Sequence, residues 1–357
     1  MSPGRVTFLQ RTGAALLCFA ALEAGIFRTP LYRSYVEPVS TTGWFEELIS
    51  DEIRRPVDGS RQILVVGDSR MGLRPRYANE LANETRCTFA SMSLGGTNAR
   101  CWYYQVRATD PSARRYAAVV IPSVDYDEPD EWDFPGDHEA DLHYVIGRLG
   151  LADSYEFAMS YADPAVRWKV LRQSLLKSAV YRQDLLEFVK HPITRLTDVE
   201  AHYKNAGGWR YDFKGENKSM VGVQADRENH RLKVPAGVPE DRRQTFENHF
   251  FRDHPGTGAM SQFLGHWYGK IVDYYRDSPT RVIFIRLPRG PLTPLPAPAK
   301  PHSAVRSLAS APKVILLPEH LCDSLERPEL FLDMWHLNDS GETEFSHLLA
   351  REVAGAL

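Results

Sequence analysis

The chain has 357 residues, of which 43% are hydrophobic and 25% charged, and its formal net charge is −3. That much apolar side chain offsets the conformational entropy lost on folding, which excludes a wholly disordered protein, and the length suits one large core or a core with an inserted cap. Lys and Arg form no cluster longer than a pair such as Arg54-Arg55, so the sequence lacks a basic stripe and we expect no nucleic-acid partner.

The N-terminal segment has the composition of an export signal. Arginines precede and follow an apolar run over residues 12–27 that only Glu23 interrupts. A positive region ahead of an apolar one is typical of a signal peptide or a short signal anchor, while an amphipathic core helix is the alternative. We therefore assign 1–30 to a signal anchor or signal peptide and 31–60 to a linker and helix. We expect an exported protein anchored to the membrane on its periplasmic or extracytoplasmic face.

The body of the chain alternates strand and helix patterns. Continuous apolar runs are typical of strands that are buried on both faces of a parallel sheet. The predicted strands are 63–66, 87–92, 116–121, 281–285 and 314–317, and the predicted helices are 75–83, 99–109, 261–276 and 340–356. The expected fold class is therefore α/β, a flavodoxin-like three-layer sandwich with a parallel sheet, in which ligands bind at the carboxyl ends of the strands.

Residues 127–258 break this alternation. Within them, 163–190 has the pattern of one long amphipathic helix that begins with a capping aspartate. We interpret 127–258 as a large helical or irregular insertion, or lid, over the carboxyl edge of the sheet. Residues 61–126 and 259–357 then form the α/β domain.

A Gly67-Asp68-Ser69 motif follows the first predicted strand. The glycine permits a tight strand-to-helix turn, and the serine projects at the carboxyl edge with its own N–H facing the same way. A helix N-terminus at this point favours the negative charge of a tetrahedral oxyanion. The alternative is an ordinary N-cap, for which Asp and Ser are preferred residues.

Asp333 and His336 lie just before the last predicted helix. An aspartate three residues ahead of a histidine can accept its Nδ1–H within one turn of chain, which leaves Nε2 to take a proton from a serine. Alone, the segment also suits a capping aspartate and a core histidine. An early serine and a late Asp-x-x-His in an alternating α/β chain together indicate a catalytic triad of Ser69, Asp333 and His336.

The segment 91–98, SMSLGGTN, follows the second predicted strand. Paired glycines let backbone N–H groups approach a ligand closely, which suits Gly96 as a second oxyanion donor beside the N–H of Ser69. A plain strand-to-helix turn capped by Thr97 or Asn98 is the alternative.

The cysteine and histidine spacing indicates no metal site. The four cysteines form no Cys-x-x-Cys pair and no Cys/His cluster at zinc spacing, and the histidines are dispersed. The acidic stretch 127–141 suits a solvated loop better than a calcium site. We expect neither a metal nor a cofactor, and the sequence leaves a disulfide between Cys87 and Cys101 open.

These blocks resemble the SGNH/GDSL hydrolase superfamily. The resemblance rests on Gly67-Asp68-Ser69, on Gly96, and on Asp333 with His336. It implies that Ser69 is the nucleophile, His336 the base and Asp333 its orienting group. It also implies an oxyanion hole built from the Ser69 amide, Gly96 and an asparagine of a third block.

The third block departs from the family pattern. After the predicted strand 116–121 the chain has Pro122-Ser123-Val124-Asp125, where the family has Gly-x-Asn-Asp, so Val124 takes the place of the asparagine. We therefore expect a weaker oxyanion hole than in an ordinary esterase.

An N-terminal anchor, a large insertion and an altered third block resemble the membrane-tethered SGNH-like proteins of bacterial envelope polysaccharide or teichoic-acid acylation. That resemblance implies an acyl donor, a carbohydrate or polyol acceptor and often a multispanning membrane acyltransferase as partner. Some aromatic side chains suit either stacking on sugar faces or packing of the lid and the helix before the fourth strand. They are Trp132, Trp209, Tyr211, Trp267 and Tyr268.

Two functions remain open at this stage. The intact Ser, Asp and His favour a membrane-tethered serine esterase or O-acyltransferase that acts through an acyl-serine intermediate. Val124 favours a catalytically silent SGNH-fold protein that binds glycan or a membrane partner.

Overall fold

The computed structural model describes residues 3–57, 59–124, 126, 138–204, 222–226, 229–251, 258–290 and 303–357. The chain divides into two compact units. Unit 1 contains Met1–Asp51 and Gly136–Trp209, and unit 2 contains Glu52–Pro135 and Arg210–Leu357.

Unit 2 contains the central sheet. The strands in the described ranges are β1 (Arg61–Gly67), β2 (Cys87–Ser93), β3 (Ala118–Ser123), β4 (Gln224–Asp226), β5 (Arg231–Lys233), β6 (Arg281–Arg286) and β7 (Val314–Leu316). A parallel sheet has the order β2-β1-β3-β6-β7, and β4 and β5 form a separate antiparallel hairpin. In β1 every residue after Arg61 is buried, as expected for a strand covered on both faces.

Helices account for most of the remaining described residues. They are α1 (Pro3–Phe27), α2 (Pro30–Arg33), α3 (Thr41–Arg54), α4 (Pro75–Glu80), α5 (Ala82–Thr85), α6 (Ala99–Thr109), α7 (Ala140–Val145), α8 (Leu151–Met159), α9 (Pro164–Leu175), α10 (Lys177–Val180), α11 (Arg182–Lys190), α12 (Pro192–Lys204), α13 (Glu240–Phe251), α14 (Ala259–Tyr274), α15 (Ala304–Leu308) and α16 (Asp339–Ala356). No helix in the described ranges is long and apolar enough to cross a membrane.

Helices cover both faces of the sheet. On one face, Ile63 of β1 shares a core with Phe345 and Leu349 of α16. On the other face, Tyr268 of α14 stands edge-on to Phe284 of β6, with 5.2 Å between the ring centroids. The prediction of an α/β protein with a parallel sheet is therefore confirmed, and the strand order is that of flavodoxin-like doubly wound sheets.

The prediction of one long helix over 163–190 is wrong, because unit 1 has α9, α10 and α11 there. Leu176 leaves helical backbone geometry, with φ −115° and ψ 79°. The carbonyl oxygens of Ser174 and Leu175 accept hydrogen bonds from the Arg28 guanidinium. This cationic group satisfies carbonyl oxygens that the end of α9 leaves without partners in the helix, which stabilises the break at this point.

The disulfide that the sequence left open between Cys87 and Cys101 is not formed. Both cysteine side chains are buried.

Candidate active site

Ser69 stands at the carboxyl end of β1, on a turn that its own neighbours shape. Asp68 caps the 3₁₀ helix that begins at Ser69 by accepting the Arg70 N–H at 2.8 Å. A Cβ on Gly67 would lie 2.7 Å from Cβ of Met71, so only glycine fits. The half-buried Ser69 is the first residue of this helix, and its N–H therefore has no acceptor within the helix.

Asp333 and His336 lie on a closed loop that precedes α16. An antiparallel bridge joins Phe331 to Leu337 across this loop. The side chain of Asn338 then caps the first turn of α16. The bridge and the cap therefore hold both ends of the loop that carries Asp333 and His336.

The loop brings both predicted side chains to Ser69. Nε2 of His336 lies 2.9 Å from Oγ of Ser69, and Nδ1 of His336 lies 2.8 Å from Oδ2 of Asp333. An ionised carboxylate only accepts hydrogen bonds, so we assign the ring proton to Nδ1, which leaves Nε2 to accept from the serine hydroxyl. The three side chains thus have the connectivity of a Ser-His-Asp triad.

Backbone amides support the charge of Asp333. Its Oδ1 accepts the N–H groups of Trp335 at 2.7 Å and of His336 at 2.8 Å. Partial burial raises the pKa of the Asp333 carboxyl, but the hydrogen bonds from the His336 ring and from these amides outweigh burial and hold the pKa below its ordinary value. Asp333 is therefore an anion that orients the imidazole.

Gly96 lies at the same edge of the sheet, in the turn after β2. The carbonyl oxygen of Gly67 accepts the Leu94 N–H at 2.9 Å and the Thr97 hydroxyl at 3.1 Å, which ties this turn to the base of the serine turn. Gly96 itself is exposed and has a φ of 73°, a conformation that glycine adopts readily. Its backbone is therefore accessible beside the strand end that bears Ser69.

Val124 is the residue that the sequence comparison with the SGNH pattern aligns with a third oxyanion donor. It follows β3 and is half-buried. Its aliphatic side chain cannot donate a hydrogen bond, and the adjacent Asp125 lies outside the described residues. The predicted donors that remain are the N–H groups of Ser69 and Gly96.

Met334 lies between Asp333 and His336, and it belongs to an apolar cluster that the sequence did not predict. Met334 is buried against Phe246 and Phe250 of α13. From another element, Gly290 approaches the loop so closely that a Cβ on it would lie 2.5 Å from the carbonyl oxygen of Met334. Because both contacts join segments distant in sequence, no local pattern around Met334 predicts them.

An ion-pair network, also missed, fixes the segment ahead of this loop. Arg286 at the end of β6 is 2% exposed and binds Glu326 at 2.8 Å as well as Asp323. Arg289 donates to the same Glu326 carboxylate at 2.8 Å. A buried charge left without its partner is strongly destabilising, so this network holds the strand end and the segment before the loop together.

Of the two alternatives for the aromatic residues, sugar stacking and packing, the structure shows packing for those that it describes. Trp267 and Tyr268 are 0% and 2% exposed and pack within unit 2, so they present no face to a sugar. Trp335, which the sequence analysis did not single out, is 36% exposed and directly precedes His336. The remaining candidates, Trp132, Trp209 and Tyr211, lie outside the described residues.

Some histidines outside the triad pair with carboxylates, as in His138 with Asp141 and His320 with Asp323. Among the residues that the structure describes, no group of three His, Cys, Asp or Glu side chains is arranged to hold a metal ion.

Comparison with known proteins gives no match, either to a family model or to a curated protein. The geometry around Ser69 is therefore the basis for assigning a function.

Proposed function

We propose that the chain is a membrane-tethered serine esterase or O-acyltransferase of SGNH type that acts on envelope glycan or polyol hydroxyls through an acyl-serine intermediate. The observation that carries the proposal is the double contact of His336, with Ser69 at 2.9 Å and with Asp333 at 2.8 Å. Ser69 and His336 are 267 residues apart in the chain, and neither an N-cap nor a packing role requires them to meet.

The acylation step begins when Oγ of Ser69 attacks the carbonyl carbon of the acyl donor while its proton passes to Nε2 of His336. The new C–O bond turns the carbonyl oxygen into an oxyanion, which the N–H groups of Ser69 and Gly96 stabilise. Collapse of this intermediate breaks the bond to the leaving group, which takes the proton from His336. Asp333 keeps the imidazole oriented and stabilises the imidazolium.

The acyl-serine is then resolved by water or by an acceptor hydroxyl. His336 takes the proton of the attacking oxygen, the acyl group moves to that oxygen, and the proton returns to Ser69. One oxyanion donor is typically worth about 3 kcal/mol, so Val124 in place of the third donor slows attack by water and by an acceptor hydroxyl alike. An acceptor hydroxyl that is bound beside the acyl-serine recovers rate through proximity, which favours transfer over hydrolysis.

The membrane tether of this proposal is the apolar helix α1, and export is inferred from the arginine-flanked run at 12–27. Between Arg11 and Leu22 nearly every side chain of α1 is exposed, which supports a surrounding other than water. A multispanning acyltransferase that delivers acyl groups is the partner that fits a tethered acyl-serine enzyme.

A second candidate is a catalytically silent SGNH-fold protein that binds glycan or a membrane partner. The observation that favours it is Val124 at the position of the third oxyanion donor. The two candidates differ in one measurable property, which is the nucleophilicity of Ser69.

The test is reaction of the detergent-solubilised full chain with a serine-directed phosphonate, followed by mapping of the modified residue. We expect the label on Ser69, slow hydrolysis of an activated acetyl ester, and faster acyl turnover when oligosaccharide acceptors are added. Ser69→Ala should abolish labelling. Ser93→Ala is the matched control, because Ser93 ends the neighbouring strand and should leave labelling intact.

Labelling that survives Ser69→Ala would refute the triad. A folded wild-type chain that never reacts would favour the silent binding protein, and fast hydrolysis that ignores acceptors would favour a plain esterase.

A further inference from the structure

Helix α1 presents apolar side chains in every direction. Leu16, Leu17, Phe19 and Leu22 are between 49% and 73% exposed. With 3.6 residues per turn, these four positions are spread around the whole circumference of the helix. The helix therefore lacks the one-sided apolar stripe that packing against a single protein face requires.

The C-terminal end of α1, in contrast, is part of the interior of unit 1. Glu23, the charge that interrupts the apolar run, is 6% exposed, and its carboxylate accepts the Ser178 N–H at 3.1 Å. Phe27 is 5% exposed and stacks on Tyr181 with 5.7 Å between the ring centroids. Removing α1 would take both side chains out of unit 1.

Glu23 also stabilises the charge of a buried lysine, Lys177. Lys177 is 2% exposed. Burial and the neighbouring cations Arg28 and Arg33 lower the pKa of its ammonium group to about 8, while the carboxylates of Glu46 and Glu23 act in the opposite direction. Loss of Glu23 would remove one of the carboxylates that stabilise this buried charge.

Arg28 joins the base of α1 to the end of α9. Its guanidinium donates to the carbonyl oxygens of Ser174 at 3.0 Å and of Leu175 at 2.6 Å. At this junction α9 carries a shallow groove of about 740 Å³. The groove is lined by the apolar side chains of Trp168, Leu171, Leu175 and Leu176 and by the cations Lys169 and Arg172.

We propose that α1 is retained in the mature protein and that α1 and the α9 groove form one surface that binds a lipid bilayer. The inference rests on the tethering in the proposed function and not on the chemistry of Ser69. In it, α1 inserts its apolar side chains into the lipid without crossing the bilayer, the groove lies at the level of the headgroups, and Glu23 stays inside unit 1 and out of the lipid.

Two observations favour lipid over a protein partner. An apolar surface on all sides of a helix matches a surrounding solvent of lipid chains, whereas a protein groove covers one side only. The groove combines a tryptophan that is 72% exposed with Lys169 and Arg172, and tryptophan with cations is the composition found where proteins meet lipid headgroups. The expected lipid is therefore anionic.

The first arm of the test is the mass of the full chain purified from the membranes of an exporting host. We expect a mass that includes residues 12–27. A mass that lacks residues 12–27 would overturn the retention of α1.

The second arm places a polarity-sensitive fluorophore on Leu176→Cys in a Cys18→Ser background, since Cys18 is the exposed native thiol. The chain is reconstituted into vesicles of phosphatidylcholine and phosphatidylglycerol that contain brominated lipid. We expect a blue shift and quenching at position 176. The matched control is Val57→Cys, a position in unit 2 with an apolar side chain that is 66% exposed, where we expect neither effect.

If the chain floats with the vesicles but the fluorophore at position 176 shows neither a blue shift nor quenching, the α9 groove does not contact lipid and that part of the proposal is overturned. Protection at position 176 in native membranes but not in pure lipid would overturn the lipid assignment and indicate a protein occupant. Phosphonate labelling of Ser69 is measured on the same samples, so failure of docking with labelling intact refutes this inference alone.

Discussion

The two halves of the candidate site are held in different ways. The Ser69 turn is fixed by its immediate neighbours, since Gly67 alone fits against Met71 and Asp68 caps the helix that follows. The loop that carries His336 is held by remote elements, because Met334 packs against α13. The closest packing constraint on the nucleophile is therefore local, whereas the loop of the base depends on a remote helix in addition to its own bridge and cap. Changes in α13 should displace the base without displacing the nucleophile.

The largest expected effect comes from removing the base itself. His336→Ala leaves the Ser69 turn intact but removes the acceptor of the serine proton, so we expect the rate of phosphonate labelling to fall by about a thousandfold or more. Asp333→Asn should cost less, because the imidazole still samples the useful tautomer. Labelling kinetics on the folded variants measure both, and equal, mild losses would indicate a capping role for the pair.

A change within the serine turn tests the local half. A Cβ at position 67 would lie 2.7 Å from Cβ of Met71, and overpacking of this kind costs about 1–3 kcal/mol. A shift of Ser69 by about 1 Å lowers the labelling rate by roughly a hundredfold. We therefore expect Gly67→Ala to reduce both the free energy of unfolding and labelling.

The matched control for this prediction is Gly269→Ala in α14. No atom lies within 4 Å of a Cβ at that position, and alanine favours a helix over glycine by about 1 kcal/mol. This variant should gain stability in urea unfolding and label at the wild-type rate. Normal labelling of Gly67→Ala would show that the turn is not what positions Ser69.

A change behind the loop tests the remote half. Met334→Ala removes the side chain that packs against Phe246 and Phe250, which should cost about 2 kcal/mol of stability, the lower end for a buried methionine. The freed loop lets His336 move, so we expect labelling about tenfold slower under conditions where the protein stays folded. Met334→Leu conserves volume and should retain most of the rate. Unchanged labelling of Met334→Ala would contradict a positioning role for α13.

The sequence predicts the features that depend on neighbouring residues and misses those that depend on distant ones. Gly67-Asp68-Ser69 after a buried strand is a local pattern, and it places the serine turn where the structure has it. The contact between Asp333 and His336 is predictable because the two residues are only three positions apart, so the carboxylate reaches the imidazole within one turn of chain. Their meeting with Ser69 follows from the strand-helix alternation, which brings strand ends to one edge.

What the sequence could not predict depends on contacts between distant residues. The end of α9 at Leu175 is capped by Arg28, 147 positions earlier. Periodicity alone continues the helix to residue 190. Likewise, the sequence leaves open whether Trp267 and Tyr268 stack on a sugar or pack in the core. The packing of α14 against the sheet, which buries both side chains, decides between the two. Met334 acquires its role from α13 in the same way.

The smallest expected effect concerns the charge of Asp333. Hydrogen bonds from the His336 ring and from two backbone amides hold the pKa of this carboxyl below its ordinary value. Ionised Asp333 therefore stabilises the fold above the usual aspartate pKa of about 4, and this contribution is lost as the pH falls through the lowered pKa. Because the side chain is 45% exposed, solvent screening keeps the contribution small.

Urea unfolding of the wild type and of Asp333→Asn, from neutral pH to below about pH 4, measures this contribution. We expect the difference in unfolding free energy to be greatest at neutral pH and to shrink in acid, because the protonated carboxyl and the amide are both neutral. Asp277→Asn, at an exposed carboxylate after α14, should show no such trend. A difference that stays constant with pH would mean that the loop does not stabilise the anion. The orientation of His336 would then depend on the packing of Met334 and on the backbone contacts that close the loop, and not on the charge of Asp333.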